Sequence, residues 1–417
     1  MNIVYNEERG LMYRWVYLIS GVIAMIFAGV IYAWSILKAP LSDEFGWLEA
    51  QLSLNYTLSM AFLCMGLMLA GMMIKKIAPR VMLIIGASLV FLGFFLTSRL
   101  SGESIISLYF CYGFLCGTGI GLSYNTIIST VGDWFPDKKG VCSGSLMMGF
   151  GFSTLILGRL SDTLFNHPDF GWRKTFLLLG VAISMVLIVT ALILKKPDPN
   201  TPLPHKKAPQ FSRRKDIETL EVNTRDMIRH WFFWRFYIFN VLLTVVGASM
   251  ISFAREFFLT IGATPDFAVL MVGIVSICNG FARLLAGTIY DKTGHYITML
   301  FANILAIVSP TLIIIALYSN SLGLGVFGAC LAGISYGSAP AIKAPVLRDF
   351  YGDKNFATNF SVLATSAIPA AFMATINGKI LSVTESYMIV FTMLLILTVF
   401  NLLISHSLRY PSSIVDK

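Results

Sequence analysis

Charged side chains are scarce in this chain. Asp, Glu, Lys and Arg make up only 13% of its 417 residues, about half of the roughly 25% that is usual in soluble domains. Hydrophobic residue types make up 56%, and the mean hydropathy is +0.74. This composition excludes an ordinary soluble protein and indicates one that is embedded in a lipid bilayer.

Catalytic and metal-binding patterns are missing as well. All six cysteines lie inside apolar runs without metal-ligand spacing, and none of the five histidines lies in the middle of a run. No Ser/His/Asp set or phosphate-binding loop occurs. We therefore expect neither an enzyme nor a cofactor or metal. The formal charge of +9 does not indicate nucleic acid as a partner, because basic residues of membrane proteins gather on the inner loops.

Apolar runs of about 20 residues recur along the whole chain, each long enough to cross about 30 Å of hydrocarbon. The runs are continuous rather than alternating, which favours helices over a β-barrel. The sequence therefore predicts an all-α membrane protein. The twelve predicted spans are 14–38, 50–74, 81–99, 105–131, 140–165, 174–195, 232–255, 267–290, 296–318, 322–347, 357–381 and 386–408.

One long polar segment, 195–230, separates two sets of six spans. It predicts a cytoplasmic linker between an N-terminal bundle, 1–194, and a C-terminal bundle, 231–417. Its end, NTRDMIR, is typical of a capped turn that leads into the seventh span. Most of the 31 Lys and Arg residues fall on one side when both termini are cytoplasmic. We expect a monomeric, multi-pass protein of the cell (inner or plasma) membrane without a cleaved signal peptide.

The two halves carry matching loops. GMMIKK at 71–76 follows the second span, and GTIYDK at 287–292 follows the eighth. DWFPDK at 133–138 and DFYGDK at 349–354 follow the fourth and tenth spans. Two parallel six-helix repeats with a basic central loop resemble the major facilitator superfamily. This resemblance implies the major facilitator fold, with two pseudo-symmetric six-helix bundles.

The pattern GxxxDKxG at 287–294 is similar to the loop signature of that superfamily. The resemblance implies a cytoplasmic gate at Gly287, Asp291 and Lys292, where the aspartate braces a helix N-terminus. We place Asp133 at the gate too. The first copy of the loop departs from the pattern, because Lys75 stands where an aspartate is usual.

Three further motifs narrow the resemblance to one family. They are YAWSI at 32–36, WFPDKKG at 134–140 and NGFARxxxGxxxDKxG at 279–294. Together they resemble the oxalate–formate antiporter family, which is related to the monocarboxylate transporters. The resemblance spans nearly the whole chain.

This family resemblance implies a set of substrate-binding residues. The arginine of the eighth helix, here Arg283, is expected to bind the substrate carboxylate. Aromatic residues of the first, fourth and tenth helices correspond to Tyr32, Tyr124 and Tyr336. Asn125, beside Tyr124, and Asn279, one turn before Arg283, are further polar candidates for substrate binding.

At two positions the residue type of this chain differs from the one that members of this family or of the related monocarboxylate transporters carry. Oxalate-transporting members carry a second cation, a lysine on the eleventh helix, where this chain has Ala367. Monocarboxylate transporters carry an aspartate, used in proton coupling, where this chain has Asn279. The first departure favours a monocarboxylate over a dicarboxylate.

Physical chemistry supports the assignment of Arg283 independently. It lies about eight residues, or roughly 12 Å, from the end of its predicted helix. An arginine at that depth costs at least about 2.5–3.5 kcal/mol on insertion scales. No Asp or Glu lies deep in any predicted span. A substrate carboxylate would suit the planar guanidinium. The alternative is an arginine that backbone carbonyls or Asn279 satisfy.

Lys343, on the tenth predicted span, is a further candidate cation for the site, and two interpretations stay open. It could snorkel to the cytoplasmic surface, with the nearby Pro340 and Pro345 breaking a gate helix. It could instead provide a second anion contact, replacing the missing lysine of the eleventh helix.

The sequence therefore predicts a secondary active transporter of small organic anions, monocarboxylates above all, that works by alternating access. Without a buried acid or histidine to relay protons, exchange or uniport is favoured. The alternatives are a proton-coupled monocarboxylate symporter and a major facilitator carrier of a non-carboxylate solute.

Overall fold

A computed structural model describes residues 2–102, 104–198, 201, 203–204 and 221–408 of the chain. Within this part the regular structure is entirely helical, and no strand occurs. The helices of the first half are α1 (Asn2–Ala28), α2 (Trp34–Leu37), α3 (Ala39–Phe45), α4 (Glu49–Met73), α5 (Pro79–Thr97), α6 (Ile105–Leu108), α7 (Gly117–Gly132), α8 (Lys139–Ser153), α9 (Arg159–Phe165) and α10 (Gly171–Ile193).

The second half continues the helical pattern. Its helices are α11 (Thr224–Met227), α12 (Trp231–Thr260), α13 (Pro265–Thr293), α14 (His295–Ser319), α15 (Leu322–Tyr351), α16 (Phe356–Ala364), α17 (Ala367–Thr384) and α18 (Tyr387–Ser407). A 3₁₀ turn, Gly29–Ala33, continues α1 into α2, and π-helical turns at Tyr109–Cys116 and Thr154–Gly158 continue α6 into α7 and α8 into α9.

Eleven of these helical runs in the described residues are long and apolar enough to cross a membrane. They correspond to eleven of the twelve predicted spans. The remaining one, 357–381, consists of two helices, α16 and α17, on either side of Thr365 and Ser366. The prediction of an all-α protein with twelve membrane-spanning segments is confirmed.

Local sequence signals begin and end several helices as expected. Pro79 and Pro265 start α5 and α13, where a missing N–H costs nothing. The Thr264 hydroxyl accepts a hydrogen bond from the Phe267 amide at the start of α13. Asn223 caps α11 by accepting from the Asp226 amide at 2.9 Å, so the predicted capped turn is confirmed. Much of the predicted linker lies outside the described residues.

The chain divides into two compact units. The first unit comprises Met1–Lys138, Ser145–Lys206 and the short segment Phe356–Val362. The second comprises Lys139–Gly144, Lys207–Asn355 and Leu363–Lys417. Each unit therefore includes one short segment from the other half of the chain. The ends of the ranges at 206 and 207 fall outside the described residues.

Small residues determine how closely helices pack in the first unit. There α4 packs against α7, and α5 packs against α7 and α10. A Cβ on Gly66 would lie 2.3 Å from the Thr118 carbonyl oxygen, and one on Gly121 would lie 2.1 Å from that of Leu63. Only glycine allows this approach of the two backbones.

Helix α15 is the centre of the second unit. It packs against α12, α13 and α14, and most of its C-terminal half is buried. Pro340 and Pro345 lie inside this continuous helix, so the expected helix break is wrong. Pro345 has no N–H for the Ala341 carbonyl one turn earlier. The Ser143 hydroxyl donates to that carbonyl instead, at 3.3 Å.

Candidate functional site

The predicted site residues are distributed over both units. Tyr32, Tyr124, Asn125 and Asp133 belong to the first unit. The second unit contains Asn279, Arg283, Gly287, Asp291, Lys292, Tyr336 and Lys343.

Buried charge in the described residues is entirely cationic. The buried charged side chains there are Arg14, Arg283, Lys343 and Arg348, and no buried Asp, Glu or His accompanies them. Arg14 and Arg348 form ion pairs with Asp137 at 2.8 Å and Asp353 at 2.6 Å, respectively. Arg283 and Lys343 lie within the membrane-spanning helices α13 and α15.

Arg283 is a buried residue of α13, which belongs to the second unit. Only 3% of its surface is exposed, whereas Phe281 and Leu285 on the same helix are 58% and 46% exposed. Asn279 lies one turn before Arg283, and no donor in the described structure reaches its buried Oδ1 atom. The alternative in which Asn279 Oδ1 satisfies the guanidinium is therefore excluded for this conformation.

The backbone of α13 packs against the start of α8, within the second unit. A Cβ on Gly140 would lie 2.2 Å from the Gly287 carbonyl oxygen, and one on Gly144 would lie 2.4 Å from the Arg283 carbonyl oxygen. Gly140 and Gly144 form a GxxxG pair, the spacing that lets membrane helices approach closely. This contact places the backbone of Arg283 directly against a neighbouring helix.

Asp291 caps the N-terminus of α8 from one end of α13. Its two carboxylate oxygens accept from the backbone N–H groups of Gly140 at 2.9 Å and Val141 at 2.8 Å. A carboxylate at this place satisfies two N–H groups that have no partner within the helix and complements the helix dipole. The geometry is the bracing contact that the resemblance implied, while its role in gating stays a prediction.

A polar cluster that the sequence reasoning missed lies beside this cap. Asp349 accepts from Lys139 Nζ at 3.0 Å and from the Tyr290 hydroxyl at 2.7 Å. Asp349 is the first residue of DFYGDK, just as Asp133 is the first residue of DWFPDK in the first half of the chain. This match between the two repeats is the sequence signal that could have identified Asp349. Asp133 is half-buried at the end of α7, and Lys292 is exposed.

Lys343 does not reach the protein surface. It is 8% exposed, and its Nζ donates to the Ser366 hydroxyl at 2.8 Å. The snorkelling interpretation is therefore wrong. Ser366 lies between α16 and α17, directly before Ala367, the position at which the family resemblance implied a lysine in oxalate-transporting members. The side chain of Lys343 thus approaches that position from α15.

In the first unit, Tyr32 and Tyr124 contact the same phenyl ring. The ring of Phe150 lies 5.1 Å from that of Tyr32 and 5.0 Å from that of Tyr124, both edge-on. The Tyr124 hydroxyl also contacts Met147 Sδ at 2.8 Å, and its ring stacks on Phe360. The structure therefore brings two of the three predicted tyrosines into one aromatic cluster.

Tyr336, the third predicted tyrosine, is half-buried in the second unit. Helix α12 approaches it closely, since a Cβ on Gly247 would lie 2.2 Å from its Cβ. The neighbouring Ser335 donates to the Ala302 carbonyl at 3.1 Å.

Asn125 is fully buried, and its polar atoms are engaged with the protein. Its amide group donates to the carbonyl oxygens of Leu67 at 2.8 Å and Ala357 at 3.0 Å, while its Oδ1 accepts from Ser129 at 3.1 Å. In this conformation both amide hydrogens are used. A direct contact of Asn125 with a substrate stays a prediction and requires these bonds to open.

No group of three or more His, Cys, Asp or Glu residues that could hold a metal ion occurs among the described residues. The predicted site residues supply cationic and hydroxyl donors, from Arg283, Lys343, Tyr32, Tyr124 and Tyr336. Such a set suits the binding of an anion.

Comparison with known proteins adds a family and a fold. The model of the Major Facilitator Superfamily matches residues 17–342. The chain is 25% identical over 365 residues to the oxalate:formate antiporter of Oxalobacter formigenes, covering 85% of this chain and 82% of the relative. It is 21% identical over 361 residues to monocarboxylate transporter 2 of Mus musculus, covering 83% and 73% of the two chains.

A solved structure of a proton:xylose symporter of the same superfamily covers 95% of this chain and 96% of its own. The TM-score is 0.71 and the sequence identity is 14%. This likeness concerns the fold alone, and it agrees with the predicted major facilitator fold.

Proposed function

Because the chain belongs to the major facilitator superfamily, we propose that it is a secondary transporter that moves small organic anions, monocarboxylates above all, by alternating access. The observation that carries this proposal is the burial of Arg283, 3% exposed, within a membrane-spanning helix. Intramembrane cations are costly, and they commonly mark the path of a substrate. A carboxylate is the ligand that best matches a guanidinium, through two parallel hydrogen bonds.

The relatives support the class of substrate. One is named for oxalate and formate, and another for monocarboxylates. In this chain Lys343 supplies a second buried cation near Ala367, and its hydrogen bond to Ser366 holds the ammonium group in place. We propose that Lys343 contributes to anion binding, and that Tyr32, Tyr124 and Tyr336 surround the same substrate.

The distribution of acidic side chains supports a proposal for the mode of energy coupling. In the described part of the chain, no Asp, Glu or His side chain is buried, and Asn279 stands where monocarboxylate transporters place an aspartate. We therefore propose exchange or uniport rather than proton symport. The halves 1–194 and 231–417, joined by 195–230, are then the two repeats that alternate in a monomer. We place both termini in the cytoplasm of a cell whose plasma or inner membrane holds the protein.

The test is uptake of labelled formate, lactate, pyruvate and oxalate into proteoliposomes that contain the purified protein. Counterflow is measured with the same anion inside, for the wild type and for Arg283→Gln. A matched control is Arg159→Gln, which removes an exposed arginine from a membrane-spanning run. The proposal expects Arg283→Gln to abolish uptake and Arg159→Gln to retain it. Carboxylate uptake that survives Arg283→Gln would contradict it and favour a carrier in which Arg283 is structural.

A second arm of the same experiment separates exchange from symport. Empty proteoliposomes are given an inward proton gradient with no anion inside. Exchange predicts no accumulation, and uniport predicts equilibration without accumulation driven by pH. Robust accumulation driven by the proton gradient alone would establish the symport alternative.

A further inference from the structure

A groove on the exposed surface of the first unit is lined by none of the residues assigned to transport. It runs between α1 and α10 and has a volume of about 400 Å³. Its walls are apolar and include Val16, Ile19 and Ile23 of α1 and Met185, Val189 and Ile193 of α10.

The groove has the dimensions of part of an acyl chain. Val16 and Ile23 are seven residues apart on α1, which corresponds to about 10 Å along a helix. The hydroxyl group of Ser20 donates a hydrogen bond to that of Thr190 at 3.5 Å, so the two polar groups of the lining satisfy each other. The remaining lining atoms offer only apolar contacts, so the groove fits a hydrocarbon chain and not a polar solute.

Exposed lysines lie at one end of the groove. Lys195 follows two residues after Ile193, and its carbonyl oxygen accepts from Trp134 Nε1 at 2.7 Å. The Nζ atom of Lys138 lies 5.3 Å from the ring of Trp15, the residue before Val16. Both lysine side chains are exposed, whereas the nearby Asp137 is engaged by Arg14.

Aromatic side chains place this end of the groove at the membrane interface. Tyr13 and Trp15 are 48% and 40% exposed, and the rings of Tyr17 and Trp134 pack with their centroids 4.8 Å apart. Exposed Trp and Tyr residues typically lie at the level of the lipid headgroups. The two lysines are therefore at the depth of a phosphate group when an acyl chain fills the groove.

We propose that this groove is a binding site for one anionic phospholipid, with an acyl chain between α1 and α10 and the headgroup against Lys138 and Lys195. Fit to the groove alone gives little selectivity, because neighbouring lipid tails are as apolar as the groove walls. Selection among lipids therefore comes from the two lysines, which favour anionic over zwitterionic headgroups. This proposal is independent of the transported substrate.

The experiment is native mass spectrometry of the purified full-length protein with equal amounts of phosphatidylglycerol and phosphatidylcholine that carry identical acyl chains. We expect the first bound lipid to be mostly phosphatidylglycerol. Each lysine is expected to contribute about fivefold to the ratio of the two lipids. The variant Lys138→Gln/Lys195→Gln should therefore lower that ratio about 25-fold. Glycerol phosphate, which has no acyl chain, should not compete.

Two matched controls make the result specific. Arg99→Gln/Lys174→Gln removes two exposed cations from the first unit but away from the groove, and should leave the ratio unchanged. Val189→Trp fills the groove and should lower lipid occupancy, whereas Leu192→Trp, on the same helix but outside the groove, should not. Size-exclusion profiles identify variants that fold.

The proposal is overturned if the wild type binds both lipids equally. It is also overturned if the control variants match the test variants, or if glycerol phosphate displaces the lipid.

Discussion

Replacing Gly287 by alanine tests the close contact between α13 and the start of α8. The added Cβ would lie 2.1 Å from the carbonyl oxygen of Gly140 and 2.7 Å from its carbonyl carbon. Both are backbone atoms, so no side-chain rotation relieves the overlap. The two helices must separate by about 1 Å to restore ordinary contact, and overpacking of this kind costs about 1–3 kcal/mol.

A matched control lies on the same helix. A Cβ on Gly273 would meet no atom within 4 Å, so Gly273→Ala changes only the helix propensity, which favours alanine by about 1 kcal/mol. The same gain offsets part of the cost at Gly287, which leaves a net destabilisation of up to about 2 kcal/mol. The two substitutions are thus expected to shift stability in opposite directions.

The assay is thermal unfolding of both variants in detergent, followed by the fluorescence of the tryptophans or by loss of monodisperse protein. Gly287→Ala should unfold below the wild type, and Gly273→Ala at or above it. If Gly287→Ala unfolds at the same temperature as Gly273→Ala, the close packing described for α13 and α8 is wrong.

Three further predictions follow from single contacts. Asp291→Ala removes the acceptor of two N–H groups of α8 and should lower stability by about 1–2 kcal/mol in thermal unfolding, whereas the exposed neighbour Lys292→Gln should not; equal effects would contradict the cap. Lys343→Gln should weaken anion uptake in proteoliposomes, and unchanged uptake would exclude Lys343 from the site. Hydrogen bonds from Trp172 and Arg173 hold the pKa of Glu44 below its ordinary value of 4.5, so this carboxylate stabilises the protein above that pH and loses its effect as pH falls through its lowered pKa. The unfolding temperature of Glu44→Gln should therefore decrease less than that of the wild type as the pH is lowered. An equal decrease in both proteins would refute this role of Glu44.

The spans were predictable because each is a long apolar run, and the cost of leaving backbone groups unpaired in lipid permits only helices there. The division of the eleventh span into α16 and α17 was not predictable, because Thr365 and Ser366 are only two of several polar residues in that span, among them Asn359 and Asn377. The expected break at Pro340 and Pro345 failed for a related reason. The Ser143 hydroxyl, distant in sequence, donates to a carbonyl that Pro345 leaves without a partner.

Some features of the candidate site were likewise predictable from the sequence, and others were not. The burial of Arg283 was predictable, because one cation in the middle of an apolar run has to face the protein interior. The hydrogen-bond partner of Lys343 was not predictable, because the contact between α15 and Ser366 arises from tertiary packing. The engagement of Asn125 by the carbonyls of Leu67 and Ala357 was hidden for the same reason. Sequence patterns identify which residue types are costly in a membrane, and packing decides which atoms satisfy them.

The most direct test of the central claim is the binding of carboxylates to the purified protein. A ligand that binds the folded state raises the unfolding temperature by mass action, so a panel of monocarboxylates and dicarboxylates is screened at equal concentration and pH. We predict that at least one small monocarboxylate stabilises the wild type, that Arg283→Lys weakens the shift, and that Arg283→Gln abolishes it. A shift of equal size in Arg283→Gln would contradict the claim that this arginine holds the carboxylate of the transported anion.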